Sequence, residues 1–271
     1  MSLPNLLAVI ATEEAIDIVN YIALGAIAVL AVIMLIICLA FRKRKMDTKS
    51  IAYAAICLAA SFVLSFIKIS PVPNGGSITL ASWIPVLIYA YAYGAARGFL
   101  VGIIFGILNF ISGPYILTPF SFVLDYILAF AMVGLMGFAR KFGKSLAFNV
   151  VLGTVIVALA RFVMHFFSGV IYFQNDAVWV EFPGWATANA YIYSFIYQLL
   201  YIPGDAVINI VVFAILAKTG TLQALLHMIR PTLFPNKEAA AAQPADAASS
   251  QEAQAEAAIP ETPAEAKQAQ K

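Results

Sequence analysis

Long apolar runs separated by short polar stretches set the plan of this chain. The first runs from about Ile16 to Phe41, the second from about Ser50 to Ile69. Two shorter ones follow, Ile78–Tyr93 and Phe99–Ile111, separated by the tight Gly94–Gly98 stretch. Pro119–Phe138, Leu146–Phe173 and Asn189–Ala217 complete the series. A membrane-spanning helix needs about 20 predominantly apolar residues, so the long runs read as spans and the two short ones as tilted or partly interfacial segments. Pro and Gly in Pro71–Ser77 and in Ser112–Tyr115 mark loops. Beyond Pro235 no large apolar residue occurs between Asn236 and Ala258, so the pattern predicts a disordered tail.

Charge gives the spans a direction. The first run is preceded by Glu13, Glu14 and Asp17 and followed by Arg42, Lys43, Arg44 and Lys45, the reverse of a signal peptide. Lys or Arg recurs at Arg97, at Arg140–Lys144 and from Lys218 to Arg230, whereas the opposite loops carry acids and aromatics, with Lys68 as the exception. The positive-inside rule then predicts a multi-pass cell-membrane protein of seven spans, N-terminus outside and C-terminus cytoplasmic. The expected divisions are an extra N-terminal transmembrane helix with its basic flank (1–47), a six-helix membrane domain (48–234) and the tail (235–271).

Composition agrees: 62% of the 271 residues are hydrophobic and 11% charged. The net charge of +2 and the lack of a basic, aromatic-interleaved patch give no sign of nucleic-acid binding. Cys38 and Cys57 lie in apolar runs without metal or redox spacing. Gly137–Ser145 has five residues between its glycines and joins two spans, so it is no phosphate loop. No resident cofactor is expected, and none of the chain's motifs would hydrolyse ATP.

Candidate chemistry comes from ionisable residues placed where they are expensive. Asp125, Arg161, His165 and Asp205 all fall inside apolar runs, and such residues usually face a bundle interior or a cavity. At about 1.5 Å per residue, Asp125, His165, Tyr193 and Gln198 lie roughly 9, 12, 6 and 13 Å from the outer ends of three different spans. This convergence predicts one small-molecule pocket opening to the outside, with Tyr115, Tyr126, Phe173 and Trp179 as aromatic neighbours; an interfacial aromatic belt is the plainer reading of any one of these. Arg161 and Asp205 fall near mid-membrane and are expected to form a structural ion pair. On the second span, Ala55 and Ala59 form an A-x-x-x-A pair suited either to internal packing or to a membrane partner.

The motifs P-N-G-G-S-I-T, G-P-Y-I-L, L-D-Y, R-F-x-x-H-x-x-S-G-V-x-x-F and Y-S-x-x-Y follow one another between about Thr48 and Lys218. In this order the chain resembles the thiamine-specific substrate-binding (S) components of energy-coupling-factor (ECF) transporters. The resemblance implies an all-α bundle of six helices, here with an added N-terminal helix and tail. It also implies a binding subunit without catalysis, served by a transmembrane coupling subunit and two ABC-type ATPases that consume the ATP. Asp125 would be the binding carboxylate, with Tyr126, His165, Tyr115 and Tyr193 around the ligand and Ala55 and Ala59 facing the coupling subunit. Gln198 stands where the family pattern has Asn, and Phe173 where some members have Trp. Another thiamine-like vitamin or precursor therefore stays open as ligand. The alternative of another class is an intramembrane enzyme using Asp125, His165 or Asp205.

Overall fold

A computed structural model describes residues 46–72, 76–114, 121–143, 145–173 and 189–233, together with Gly25, Ala28 and Val32; of 171–173 it describes the backbone alone. The expected leading span, apart from those three helical residues, and the expected tail beyond Leu233 lie outside the described residues. Helices α1 (Thr48–Ser65), α2 (Ile84–Tyr93), α3 (Ala95–Ser112), α4 (Phe122–Phe142), α5 (Leu146–Phe173) and α6 (Ala190–Lys218) follow one another along the chain. The short helix α7 (Thr221–Ile229) follows Gly220. All but α2 and α7 are long and apolar enough to cross a membrane, which makes five such helices among the described residues.

The chain departs from a plain bundle between α1 and α2. Strands β1 (Lys68–Pro71) and β2 (Ser77–Thr79) form an antiparallel hairpin, with Ser70 opposite Ile78 and a bulge between Lys68 and Ser70. The expected segment Ile78–Tyr93 is therefore not one helix. It starts as a strand and passes through Ala81 at φ 54°, a left-handed conformation unusual for a residue with a Cβ. It becomes helical only at Ile84. Ten helical residues rise about 15 Å, half the hydrocarbon thickness. Helix α2 is almost wholly buried, and the hydroxyl of Ser61 on α1 accepts from the Val86 N–H in its first turn (3.2 Å).

Close backbone approach packs α3 on α4. A Cβ on Gly106 would collide with the Tyr126 carbonyl oxygen, and one on Gly102 with that of Phe130. Around this contact Phe99, Leu124, Leu128, Ala131, Met132 and Met164 form an apolar core shared with α5. Helix α4 itself is irregular. Phe122–Leu128 is π-helical, Ala129–Ala131 is α-helical and Met132–Phe142 is a 3-10 helix. π-helical turns are rare and occur most often at functional sites.

At the basic ends of the helices, Arg97 lies 3.8 Å from Asp47 and donates to Ser50, while the Arg140 guanidinium donates to the Ala92 carbonyl. Helix α7 buries Leu222, Leu226 and Ile229, and its last carbonyls accept from the hydroxyls of Tyr53 and Tyr93. The side of the bundle carrying the hairpin is the opposite one, and the cavity lies there.

Candidate functional site

Three helices supply the centre of the site. The π turn of α4 carries Asp125, whose carboxylate meets α5 twice. Oδ1 lies 2.7 Å from His165 Nδ1, and Oδ2 accepts from Ser168 Oγ at 2.5 Å. His165 and Ser168 are three apart and share one face of α5. Helix α6 begins at Asn189, whose side chain accepts from the Tyr191 and Ile192 N–H groups as an N-cap. It is drawn against α5 where Gly169 faces Ser194; a Cβ on Gly169 would strike the Ser194 hydroxyl. Ser194 Oγ donates to the Phe166 carbonyl (2.6 Å), and Gln198 Nε2 to the His165 carbonyl (3.2 Å). Tyr193, one residue before Ser194, is buried and stacked on Tyr197.

These groups wall a cavity of about 270 Å3, near the lower end of the range for small-molecule sites, about 300–1,000 Å3. Asp125, Tyr126, His165, Tyr193 and Gln198 all line it, as the sequence predicts. Tyr115 and Trp179 lie outside the described residues, and Phe173 is described only as the backbone that ends α5. Ala55 and Ala59 are exposed on α1, away from internal packing. Residues not named as site residues from sequence also contribute: Ser168 and Tyr197, which stand in the sequence motifs, and Trp83, Phe130 and Tyr201, which do not, line the cavity. Ser168 was readable as the third residue after His165. The position of Trp83 depends on the hairpin and was not readable.

Several buried polar atoms at the cavity have no hydrogen-bond partner among the described residues: His165 Nε2, Gln198 Oε1, and Nε and Nη1 of Arg161. Buried polar groups are normally hydrogen-bonded, so unpaired atoms grouped around a cavity mark where a ligand or water would bond. With Nδ1–H given to Asp125, neutral His165 presents Nε2 as an acceptor. The Asp125 carboxylate has about four lone-pair positions, of which two are used, leaving capacity for a ligand donor.

Arg161 and Asp205 both line the cavity, yet the expected ion pair between them is not formed. The guanidinium carbon of Arg161 sits 4.3 Å from the Phe130 ring centroid and 4.6 Å from that of Trp83. Aromatic faces stabilise a desolvated cation, and Arg suits such stacking. Asp205 Oδ1 instead accepts from the backbone N–H of Thr79 (3.0 Å) and from its hydroxyl (2.9 Å). The two charges act on each other only at longer range. The physical reason is the hairpin, which brings unsatisfied backbone to Asp205 and Trp83 to Arg161.

Fold and cavity together define a multi-pass helical membrane protein with a cavity between its helices. The family described as "Thiamine transporter protein" matches residues 51–224, well over half of the chain. The chain belongs to that thiamine transporter family, so it is a transport protein rather than an enzyme. It is 29% identical over 178 residues to the thiamine transporter ThiT of Bacillus subtilis, covering 61% of this chain and 88% of the relative. Against ThiT of Lacticaseibacillus paracasei it is 29% identical over 168 residues, covering 57% and 75%. A solved structure of ThiT from Listeria monocytogenes is similar with a TM-score of 0.53 at 26% identity, covering 64% of this chain and 94% of that one.

Proposed function

We propose that this chain is the substrate-binding subunit of a vitamin uptake transporter and that it holds thiamine in the cavity between α4, α5 and α6. The observation that carries this reading is the Asp125–His165–Ser168 cluster set into an aromatic wall, with unpaired polar atoms beside it. Thiamine joins an aminopyrimidine to a cationic thiazolium. The Asp125 carboxylate can accept from the exocyclic amine, a charge-assisted hydrogen bond, and it also offsets the positive ring. Tyr126, Tyr193 and Tyr197 provide faces for stacking and for holding the cation. His165 Nε2 and Gln198 Oε1 can then bond the remaining polar edge. The cavity's charged side chains are Lys68, Arg161, Asp125 and Asp205, two of each sign, so a cation would be held by the local Asp125 carboxylate and the aromatic faces rather than by net charge.

In this reading the hairpin side faces the outside, the N-terminus lies outside and the C-terminus in the cytoplasm, as the distribution of Lys and Arg favours. The chain works as an S component. A transmembrane coupling subunit docks on the exposed Ala55–Ala59 face, where small side chains permit close helix approach. Two ABC-type ATPase subunits hydrolyse ATP; this chain binds no cofactor of its own.

The test is a titration of detergent-purified full-length protein with thiamine, followed by intrinsic Trp and Tyr fluorescence. Saturable quenching is expected in the wild type. In His165→Ala, which loses both the carboxylate's partner and the Nε2 acceptor, affinity falls about 10–100-fold, from hydrogen bonds worth about 1.5–3 kcal/mol beside a charge. Wild-type protein that binds neither thiamine nor its pyrimidine moiety sinks the substrate assignment.

A further inference from the structure

We infer that Asp205 is a positioning residue: its carboxylate holds strand β2, one wall of the cavity, in place against α6. Asp205 is 4% exposed and follows Tyr197 and Tyr201 at the spacing of successive helical turns on one face of α6, with Gly204 beside it three residues after Tyr201. The hairpin seats along this face. The Tyr197 hydroxyl accepts from the Gly76 N–H (3.1 Å), and Ile78 rests on Gly204, where a Cβ would come within 2.6 Å of its Cδ1. Asp205 Oδ1 takes both the N–H and the hydroxyl of Thr79, and Thr79 Oγ1 also lies 2.7 Å from Ser82 Oγ.

The need for such a group follows from the backbone. Residues 79–83 are not helical, include the left-handed Ala81, and lead into a half-length helix that is almost wholly buried in the bundle. Irregular backbone is tolerated there only where it lines a cavity and its polar groups find partners. Some partners are local, with the Leu80 N–H donating to the Ile67 carbonyl and the Ala81 N–H to that of Thr79. The Thr79 N–H donates out of the hairpin, to Asp205 on α6. Pro203, two residues earlier, removes a backbone donor from α6 beside the same contact. Because Thr79, Ser77 and Gly76 line the cavity together with Asp205, loosening this contact opens the wall beside the ligand. The role rests on an acceptor oxygen at Asp205, not on its charge. An ion-pair role with Arg161 would require the charge.

This inference uses the thiamine reading for one of its two measurements, and the other is independent of it. Amide hydrogen exchange at Thr79 is measured on ligand-free full-length protein, and thiamine dissociation by stopped-flow fluorescence. In Asp205→Ala the Thr79 amide is expected to exchange about 10–100-fold faster, the loss of a buried hydrogen bond at its acceptor. In Asp205→Asn, whose Oδ1 still accepts, exchange stays within about threefold of wild type. Thiamine dissociation accelerates about tenfold in Asp205→Ala and about threefold in Thr79→Val, which keeps the N–H and loses the hydroxyl. Equal loss of protection in Asp205→Asn and Asp205→Ala overturns the proposal, as do wild-type exchange and dissociation in Asp205→Ala. Should Asp205→Ala fail to fold, Thr79→Val decides through faster or unchanged exchange at the hairpin amides. A wild type that binds no thiamine would defeat the functional reading alone, and the exchange comparison would still decide this one.

Discussion

Asp125→Asn is expected to lower thiamine affinity at least about a hundredfold while leaving the folded bundle intact. The carboxylate has three tasks: it accepts from His165 Nδ1, accepts from Ser168 Oγ, and keeps lone pairs for the ligand. An amide has one acceptor oxygen and two N–H donors, so it cannot serve both protein partners and a ligand amine. If its oxygen keeps Ser168, its N–H faces His165 Nδ1 and favours the opposite tautomer. Nε2 then turns from acceptor to donor, reversing the polarity of an atom that faces the ligand. Loss of the charge removes a further contribution, because a buried cation gains from a carboxylate in low dielectric. Together these losses come to about 3 kcal/mol or more, given about 1.5–3 kcal/mol for each hydrogen bond to a charged group. Asp125 is 28% exposed at its side chain, which leaves the amide able to find water, so unfolding temperature should change little. Equilibrium titration of both proteins, beside thermal unfolding, separates the binding effect from the folding effect.

The second large effect is expected from Gly106→Ala, a change of one methyl group. The added Cβ would meet the carbonyl oxygen of Tyr126 and the Phe130 Cβ, the latter at 3.0 Å, so backbone has to move. Overpacking of a tight contact costs about 1–3 kcal/mol, at the upper end here because no side chain can rotate away. The carbonyl belongs to the π turn that holds Asp125, so the displacement reaches the site directly. Expected results are an unfolding temperature lower by roughly 5–10 °C and thiamine affinity down about tenfold or more. Gly113→Ala is the matched control for unfolding temperature, since a Cβ there would meet nothing within 4 Å, although Gly113 lines the cavity. Equal behaviour of the two variants would contradict the packing account.

Much of this was legible in the sequence because membrane chemistry is strict. Asp125 and His165 stood out as ionisable residues in apolar runs, and their depths on separate helices converged; the structure brings them within 2.7 Å. Gln198 and Tyr193 were found by the same argument. The backbone irregularities were not legible. An apolar run such as Leu80–Tyr93 has the same composition whether it is a whole helix or a strained turn followed by half of one. The hairpin was hidden for that reason, and the misreading of Arg161 and Asp205 followed from it. Counting depth put two opposite charges at one level, but it could not foresee that Thr79 would take Asp205 and that Trp83 and Phe130 would flank Arg161. The π turn was equally invisible, since nothing in F-V-L-D-Y-I-L distinguishes five-residue from four-residue hydrogen bonding.

The most direct measurement is an experimental structure of the full-length protein with thiamine bound. The ligand is expected between α4, α5 and α6, with its exocyclic amine at hydrogen-bond distance from the Asp125 carboxylate and a tyrosine face against one of its rings. Thiamine bound elsewhere, or in this cavity without contact to Asp125, would contradict this placement.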